Sequence, residues 1–383
     1  MFCEVFFNKI DQLYREYVSI WEDVCNIESP TNYKKGVDEV GNYFIKLAEK
    51  FGWKVEVLKQ NISGNAICIT MNENSKGHPI ALSGHMDTVQ PLGLFGSPAV
   101  KMDEEYIYGP GVLDCKGGIV SGFLAMHTLK ECGYIDRPIK MLLQSDEETS
   151  SCESNKATIN FICEKAKDCV AFFNLEPNAK GCACIERKGI LKYCFNIIGV
   201  EAHAGLCAVE GSNAILEASN KIIEIEKIKN NEGVTCNVGV IKGGSVVNTV
   251  AGECTFEVDV RFANKKQQLW AEEQMEKIAN TQFVKGCKTT LNKLSYRVAM
   301  ELCDKNRVLL DKINDILSKN GFDVLAPIKG AGGSDGADVT AFGIPCIDSI
   351  GVNGFGLHTP NEKALLTSLK DSAKRLCAIF SSF

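Results

Sequence analysis

The sequence has 383 residues, of which 45% are hydrophobic and 23% are charged, and its net charge is -6. A chain of this length exceeds the size at which one hydrophobic core stops growing, so we expect two domains. The acidic charge is spread along the chain, which argues against a nucleic-acid partner, and no apolar run is long enough to suggest a membrane span.

The 18 cysteines lie at irregular spacings, often in apolar surroundings, as Cys68 and Cys194 do. No CxxC pair is present, so we interpret them as reduced thiols, not as a disulfide framework or a structural zinc knuckle. Charged residues interrupt the segment from Met1 to Tyr17 and exclude a signal peptide there. These features predict a cytoplasmic protein.

The first half of the sequence alternates between helical and strand-forming segments. Apolar residues recur at helical spacing from Asn32 to Trp53, and short β-rich runs follow. The predicted strands are Lys54 to Leu58, Ala66 to Met71, Ile80 to Ser83, Ile139 to Gln144 and Cys169 to Leu175, with helices from Gly117 to Cys132 and Glu153 to Lys165. This alternation is typical of an α/β sheet.

The pattern changes after Lys188. The predicted order there is strand Leu191 to Val200, helix Asn213 to Lys227, strands Thr235 to Ile241 and Glu253 to Arg261, helix Gln267 to Ala279 and strand Lys288 to Arg297. Two helices on one face of a four-stranded antiparallel sheet would give a ferredoxin-like α+β domain.

The α/β alternation then returns with helix Lys305 to Asn320, strand Cys346 to Ile350 and a closing helix from Glu362 to Phe380. We therefore predict an α/β domain of residues 1–187 and 298–383, with a mixed sheet flanked by helices. The α+β domain of residues 188–297 would be inserted into it.

Ligand-type residues follow the ends of the predicted strands. His85 and Asp87 come directly after an apolar run, at the edge where open α/β sheets bind ligands. Alone, a His-x-Asp pair is more often a satisfied polar pair than a metal site, because metal-ligating histidines need further partners.

Such partners occur in four further segments. Asp114 emerges from a glycine-rich loop before a helix, where a helix N-cap is the alternative. Glu147 and Glu148 follow one strand, where solvated loop acids are the alternative, and Glu176 follows the next. His358 lies in another glycine-rich loop.

This combination of imidazole and carboxylate groups suits a pair of divalent ions, in which a shared carboxylate bridges metals roughly 3.5–4 Å apart. Zinc fits mixed nitrogen and oxygen ligands. Structural calcium or magnesium is the alternative, which the two histidines and the scarcity of carbonyl-ligand motifs disfavour.

Six blocks of the sequence resemble, in order and spacing, the di-zinc peptidases and acyl-amino-acid hydrolases of metallopeptidase family 20. This family includes glutamate carboxypeptidase, aminoacylase and succinyl-diaminopimelate desuccinylase. The blocks are Ser83 to Val89, Gly109 to Gly118, Ser145 to Thr149, Leu175 to Pro177, Gly199 to Gly205 and Gly351 to His358. The resemblance covers essentially the full length, is strongest to the glutamate carboxypeptidase branch, and implies a zinc-peptidase-like catalytic domain with an inserted lid and dimerisation domain.

The resemblance implies a ligand set for two zinc ions per subunit, for which Co²⁺ or Mn²⁺ could substitute. Asp114 would bridge the two ions. His85 and Glu176 would complete one site, and Glu148 and His358 the other.

It also implies three residues with catalytic roles. Asp87 would orient the imidazole of His85, and Glu147 would be the general base that takes a proton from the bridging water. His203, in the inserted domain, would stabilise the oxyanion in the active site of a partner subunit, so we expect a homodimer. A histidine that merely caps a turn is the alternative.

The resemblance is informative at Glu176. The family branches with carboxypeptidase or acyl-hydrolase activity tend to carry Glu at this position, whereas the tripeptide aminopeptidases tend to carry Asp. Glu176 therefore favours a substrate with a free C-terminal carboxylate. Arg261 and Arg297, with Asn248 as a neutral donor, are the predicted substrate-binding residues, and a solvated surface position is the alternative for each arginine.

The sequence thus predicts metal-dependent hydrolysis of an amide bond in a small peptide or N-acyl amino acid. The alternatives are a deacylase of the acetylornithine deacetylase or aminoacylase type, a tripeptidase or dipeptidase, and a catalytically silent binding protein of the same fold.

Overall fold

The computed structural model of the protein describes residues 2–179, 181–206, 209–229 and 233–383. The chain divides into two compact units. The first comprises Met1–Glu186, Leu302–Lys329 and Ser334–Phe383, and the second comprises Arg187–Glu301 and Gly330–Gly333. The segment Gly330–Gly333 was not part of the predicted insertion.

The chain up to residue 187 alternates helices and strands. These are α1 (Phe2–Asn26), α2 (Lys34–Lys50), β1 (Lys54–Leu58), β2 (Ala66–Met71), β3 (Ile80–His85), β4 (Lys101–Met102), β5 (Tyr106–Tyr108), α3 (Lys116–Glu131), β6 (Ile139–Gln144), α4 (Ala157–Ala166), β7 (Ala171–Asn174) and β8 (Cys182–Arg187). Helix α1 was not predicted, yet Ile10, Tyr17, Trp21 and Val24 on one of its faces are fully buried, as expected of an amphipathic helix that packs on a core.

The second unit is an antiparallel sheet with two helices. It contains β9 (Gly189–Ile198), a short 3₁₀ helix (Ala204–Leu206), α5 (Ala214–Glu226), β10 (Thr235–Gly243), β11 (Glu253–Phe262), α6 (Lys265–Asn280) and β12 (Lys288–Arg297). The strand order is β10-β11-β9-β12. Phe195 and Phe256 stack at a centroid distance of 4.6 Å within its separate core. The predicted α+β architecture is confirmed.

The remaining elements are α7 (Asp304–Lys319), β13 (Ala326–Gly330), α8 (Asp335–Ala341), β14 (Cys346–Ile347), β15 (Gly354–Phe355), β16 (Lys363–Leu365) and α9 (Leu366–Ser381). The prediction that the closing helix begins at Glu362 was wrong, because the three residues that follow Glu362 pair with β5 as a strand. The helix predicted from Glu153 begins only at Ala157, after a turn in which Asn155 and Lys156 have positive φ.

The main sheet of the first unit has six strands in the order β1-β2-β6-β3-β7-β14. Strands β6, β3, β7 and β14 are parallel to one another, whereas β1 and β2 run antiparallel to their neighbours. Helix α3 packs on β3 and β6, and α9 packs on α3 and α1. The predicted mixed sheet flanked by helices is confirmed, and the carboxyl ends of the four parallel strands share one edge.

A second, smaller sheet of the first unit has the strand order β15-β16-β5-β4. Strand β5 leads into the loop that carries Asp114, and His358 lies in the turn between β15 and β16. Pairing of Lys363 with Tyr108 and of Leu365 with Tyr106 therefore joins the two segments that carry these side chains.

Among the described residues, no helix has both the length and the apolar character needed to cross a membrane. The cysteines that the structure describes are free thiols, most of them buried.

Candidate metal centre

Three of the predicted ligands lie where parallel strands of the main sheet end. His85 is the last residue of β3, Glu148 follows the end of β6 by four residues, and Glu176 follows β7 by two. His85 lies opposite Gln144 in the register of β3 and β6, so the ligands of these two strands emerge side by side. Parallel pairing thus concentrates polar side chains at one edge of the sheet.

Asp114 lies between the two histidines. Its Oδ1 atom is 2.9 Å from Nε2 of His85, and its Oδ2 atom is 3.0 Å from Nε2 of His358. Each oxygen of one carboxylate therefore faces a different imidazole, as required of a carboxylate shared by two metal ions.

Each histidine also has a glutamate of its own. His85 Nε2 lies 3.8 Å from Oε1 of Glu176, and His358 Nε2 lies 3.4 Å from Oε2 of Glu148. His85 with Glu176 and His358 with Glu148 thus form two contacting pairs that share Asp114, and Glu148 also lies with His85 and Asp114 in a group whose ligand atoms are all within 4.8 Å of one another. The structure brings all five predicted metal ligands together within the first unit.

If Asp114, Glu148 and Glu176 were all ionised, their negative charge would exceed what the two histidines can neutralise. Burial raises the pKa of Glu148 to about 8, and burial together with the charge of Asp114 raises the pKa of Glu176 well above its usual value. Contacts with Asp114 and Glu148 raise the pKa of His358 to about 10. Buried carboxylates in such surroundings need cations, so the residues present fit a pair of divalent ions.

Asp87 is fully buried beside His85, but its carboxylate makes its shortest contacts elsewhere. His85 Nδ1 lies 2.9 Å from the main-chain oxygen of Asp87 and 3.4 Å from its carboxylate. Donation to the main-chain oxygen fixes the tautomer and leaves Nε2 facing Asp114. The carboxylate accepts the main-chain N–H groups of Glu147 and Glu148, both at 3.1 Å, and the hydroxyl of Thr31.

Asp87 therefore orients His85 through its backbone and holds the segment that carries Glu147 and Glu148 through its side chain. The resemblance had implied that the carboxylate of Asp87 orients His85, whereas the main-chain oxygen makes the shorter contact and the carboxylate holds the neighbouring segment. The structure places Glu147 in the same cluster, since its charge contributes to the raised pKa of both Glu148 and Glu176.

Two glycines permit the close approach that places Asp114 beside Glu176. A Cβ atom on Gly118, in the first turn of α3, would lie 2.0 Å from the main-chain oxygen of Leu175, and one on Gly351 would lie 2.1 Å from the same atom. Neither position can accept a side chain without a shift of the backbone next to Glu176. Close packing against the main-chain oxygen of Leu175 thus requires glycine at both positions.

Sequence reasoning missed two side chains of the centre. Cys115 is buried, and its Sγ atom groups with ligand atoms of His85 and Glu176, all within 4.8 Å of one another. Glu362 is fully buried and accepts the main-chain N–H of Asp114 at 3.1 Å. Both lie close in sequence to a predicted ligand, and that proximity was the available signal.

The remaining predicted site residues lie in the second unit. His203 is exposed, and its Nδ1 atom accepts the main-chain N–H of Gly205 at 3.1 Å. The main-chain oxygen of Asn248 accepts the N–H of Ala204 at 2.9 Å, so the structure brings His203 and Asn248 into neighbouring turns.

Arg261 and Arg297 occupy the other end of the same sheet, where both pair with Ile190 from opposite sides. Arg261 makes a bidentate ion pair with Asp259, with distances of 2.5 and 2.9 Å. Arg297 is buried, and its Cδ atom lies next to Gly333, where a Cβ atom would be only 2.8 Å away. Within this unit the arginines are together, but they are apart from His203.

The fold and the centre together define a class of protein. The chain belongs to peptidase family M20/M25/M40, whose model matches residues 81–382. It is therefore a metallohydrolase that acts on peptide or amide bonds, and the predicted family is confirmed.

One curated relative and two solved structures illustrate the similarity in sequence and in fold. The chain is 27% identical over 366 residues to carboxypeptidase G2 of Pseudomonas sp. (strain RS-16), a match that covers 93% of this chain and 85% of that protein. Its fold resembles the crystal structure of a tripeptidase from Staphylococcus aureus, with a TM-score of 0.78, 22% identity and coverage of 96% and 97% of the two chains. An M20 family metallo-carboxypeptidase from Sulfolobus solfataricus gives a TM-score of 0.76 at 16% identity, with coverage of 95% and 98%.

The shared position of Asp114 predicts that its replacement weakens both metal sites. Asp114→Asn should lower the affinity for both ions by at least about 100-fold, since even outer residues of metal sites contribute 10- to 100-fold. His358→Ala should release one ion and keep the other. Bound metal is measured by mass spectrometry after dialysis, with the exposed Asp323→Asn as control. Two tightly bound ions in Asp114→Asn would contradict the shared carboxylate.

Proposed function

We propose that the protein is a di-zinc hydrolase that cleaves an amide bond in a small peptide or N-acyl amino acid with a free C-terminal carboxylate. The observation that carries the proposal is the Asp114 carboxylate, which meets His85 on one oxygen and His358 on the other. The glutamate beside each histidine supplies a further ligand to each half.

Zinc ions held by these side chains would polarise the scissile carbonyl and lower the pKa of water. In this proposal Glu147 would move the proton. Its main-chain N–H is held by Asp87 at 3.1 Å, and its side chain is nearly buried. It would accept a proton from the attacking water and deliver it to the leaving nitrogen.

This assignment separates proton transfer from metal binding. Glu147→Gln should lower kcat by about 100- to 10,000-fold, the usual contribution of a general base, and should keep both ions. Glu148→Gln is the neighbouring control and should lose metal as well as turnover. The measurements are steady-state kinetics and bound metal on the same preparations. Metal loss in Glu147→Gln would remove it from the role of base.

The substrate class is supported by the relative named carboxypeptidase, and Arg261 and Arg297 of the second unit are the candidate partners of the substrate carboxylate. A planar guanidinium binds a carboxylate through two hydrogen bonds. Arg261 is the more exposed of the two arginines, but it already pairs with Asp259, so a substrate carboxylate would have to displace that partner. Arg297 is buried and lies across Ile190 from it. Asn248 lies beside His203 at the other end of this sheet, so within one chain it would not share the carboxylate with the arginines.

A panel of matched substrates tests this class. The enzyme should hydrolyse dipeptides and N-acyl amino acids with free C-termini and should not hydrolyse their amides. Arg261→Ala and Arg297→Ala should each raise KM for the free acids by roughly 10- to 100-fold, the value of a charge-assisted hydrogen bond. Exposed Arg307→Ala is the control. Equal cleavage of acids and amides would instead indicate an aminopeptidase.

We propose further that two chains associate through the second unit. Strand β10 is an edge strand of its sheet, and exposed edges are ready to pair with another chain. Val240 and Ile241 on this strand are about half exposed, as are Leu216 and Ile223 on α5. Apolar patches of this kind mark interaction sites. Association would also allow His203 to serve the active site of a partner subunit.

The mass in solution tests the association. The wild type should elute as two chains of 41.9 kDa each in light scattering coupled to size exclusion. Ile223→Lys should shift the mass to one chain, because a buried ammonium opposes packing at an apolar interface. Val308→Lys, at an exposed position on α7 of the first unit, is the control. A wild type of single-chain mass would refute the proposal.

A further inference from the structure

Glu362 is a carboxylate with no exposed surface, four residues after His358. Its Oε1 atom accepts the main-chain N–H groups of Leu113 at 2.9 Å and of Asp114 at 3.1 Å. Its Oε2 atom accepts Nε2 of Gln90 at 2.6 Å. Both oxygens are therefore engaged, as a buried carboxylate requires.

The backbone of Asp114 depends on this side chain for its orientation. Asp114 lies in the turn between the end of β5 at Tyr108 and the start of α3 at Lys116, outside both elements. Its N–H group and that of Leu113 are directed to Glu362 and take no part in helix or strand pairing. Asp114, whose main-chain N–H donates to Glu362, also provides the carboxylate that the two halves of the candidate centre share.

Glu362 also belongs to the segment that carries the second histidine. It lies between the turn with His358 and strand β16, and its main-chain oxygen accepts the N–H of Gly109 at 3.3 Å. One residue thus joins the loop of Asp114 to the turn of His358 through its side chain and its backbone. The 3.0 Å contact between Asp114 and His358 lies across that junction.

We propose that Glu362 is a positioning residue that sets the relation between Asp114 and His358 and thereby the affinity of the centre for metal. The inference rests on the metal centre of the proposed function, but it concerns binding and not turnover. Glu362 contacts neither substrate nor metal in this role. It acts through the main-chain N–H of Asp114.

The chain offers a matched control in its second unit. Glu217 is also buried, and one of its oxygens accepts two successive main-chain N–H groups, from Phe283 at 2.9 Å and Val284 at 2.6 Å. Its other oxygen pairs with Lys221. Loss of either carboxylate leaves two main-chain N–H groups without this acceptor, so both changes should destabilise the fold.

Four variants of the full chain separate positioning from stability: Glu362→Gln, Glu362→Ala, Glu217→Gln and Glu217→Ala. Zinc affinity is measured by competition with a chromophoric chelator, and thermal unfolding is followed on the metal-free proteins. Glu362→Ala should weaken zinc binding by about 10- to 100-fold, the range for outer residues of metal sites. Glu362→Gln should weaken it less, because an amide oxygen still accepts the N–H of Asp114.

The Glu217 variants should lower the unfolding temperature and leave zinc affinity unchanged. Wild-type affinity in Glu362→Ala, or an equal loss in Glu217→Ala, would overturn the proposal. If the alanine variants do not fold, the two glutamine variants decide by the same comparison. A wild type that binds two zinc ions without hydrolysing any substrate would refute the proposed function and leave this inference standing, whereas a wild type that binds no zinc would refute both.

Discussion

Asp114 is a buried carboxylate that two imidazoles face from opposite sides, and the burial of its charge is the constraint that organises the first unit. Burial acts against its ionisation, but hydrogen bonds with His358 and His85 outweigh this effect and lower its pKa. The glutamates on either side have raised pKa values in the same surroundings. The cluster thus contains one acid whose pKa is lowered and two whose pKa is raised, and bound cations would stabilise the ionised form of all three.

The strands, helices and loops around Asp114 hold the two histidines at contact distance from it and a glutamate beside each histidine. Parallel strands deliver His85, Glu148 and Glu176 to one edge of the main sheet. Gly118 lets α3 approach the main-chain oxygen of Leu175, and the small sheet joins the segments of Asp114 and His358. Asp87 adds a hydrogen-bonded link between the ends of β3 and β6. The positions of the candidate ligands therefore depend on local packing and hydrogen bonds as well as on the strand order of the sheet.

The architecture of both units and the meeting of the five candidate ligands could be predicted, because strand ends in an α/β alternation converge at one edge of the sheet. The choice of these side chains as ligands came from the family resemblance, since the residues alone also allowed a helix N-cap at Asp114 and solvated loop acids at Glu147 and Glu148. The small sheet could not be predicted, since strands of two or three residues such as β15 and β16 carry no periodic signal. The local sequence pattern placed Glu362 at the start of a helix. In the structure it precedes a strand, and its carboxylate accepts the main-chain N–H of Asp114. Arg261 illustrates another limit, because a sequence does not reveal that Asp259 already holds a guanidinium two residues away.

The division of the chain has a consequence for synthesis on the ribosome. The second unit, except for Gly330–Gly333, is one continuous stretch, whereas the first needs residues from three stretches. Helix α9, which packs on α1 and α3, comes last of all. The second unit can therefore fold while the apolar faces of α1 and α3 are still uncovered, and nascent chains are exposed to aggregation until the final helix has emerged.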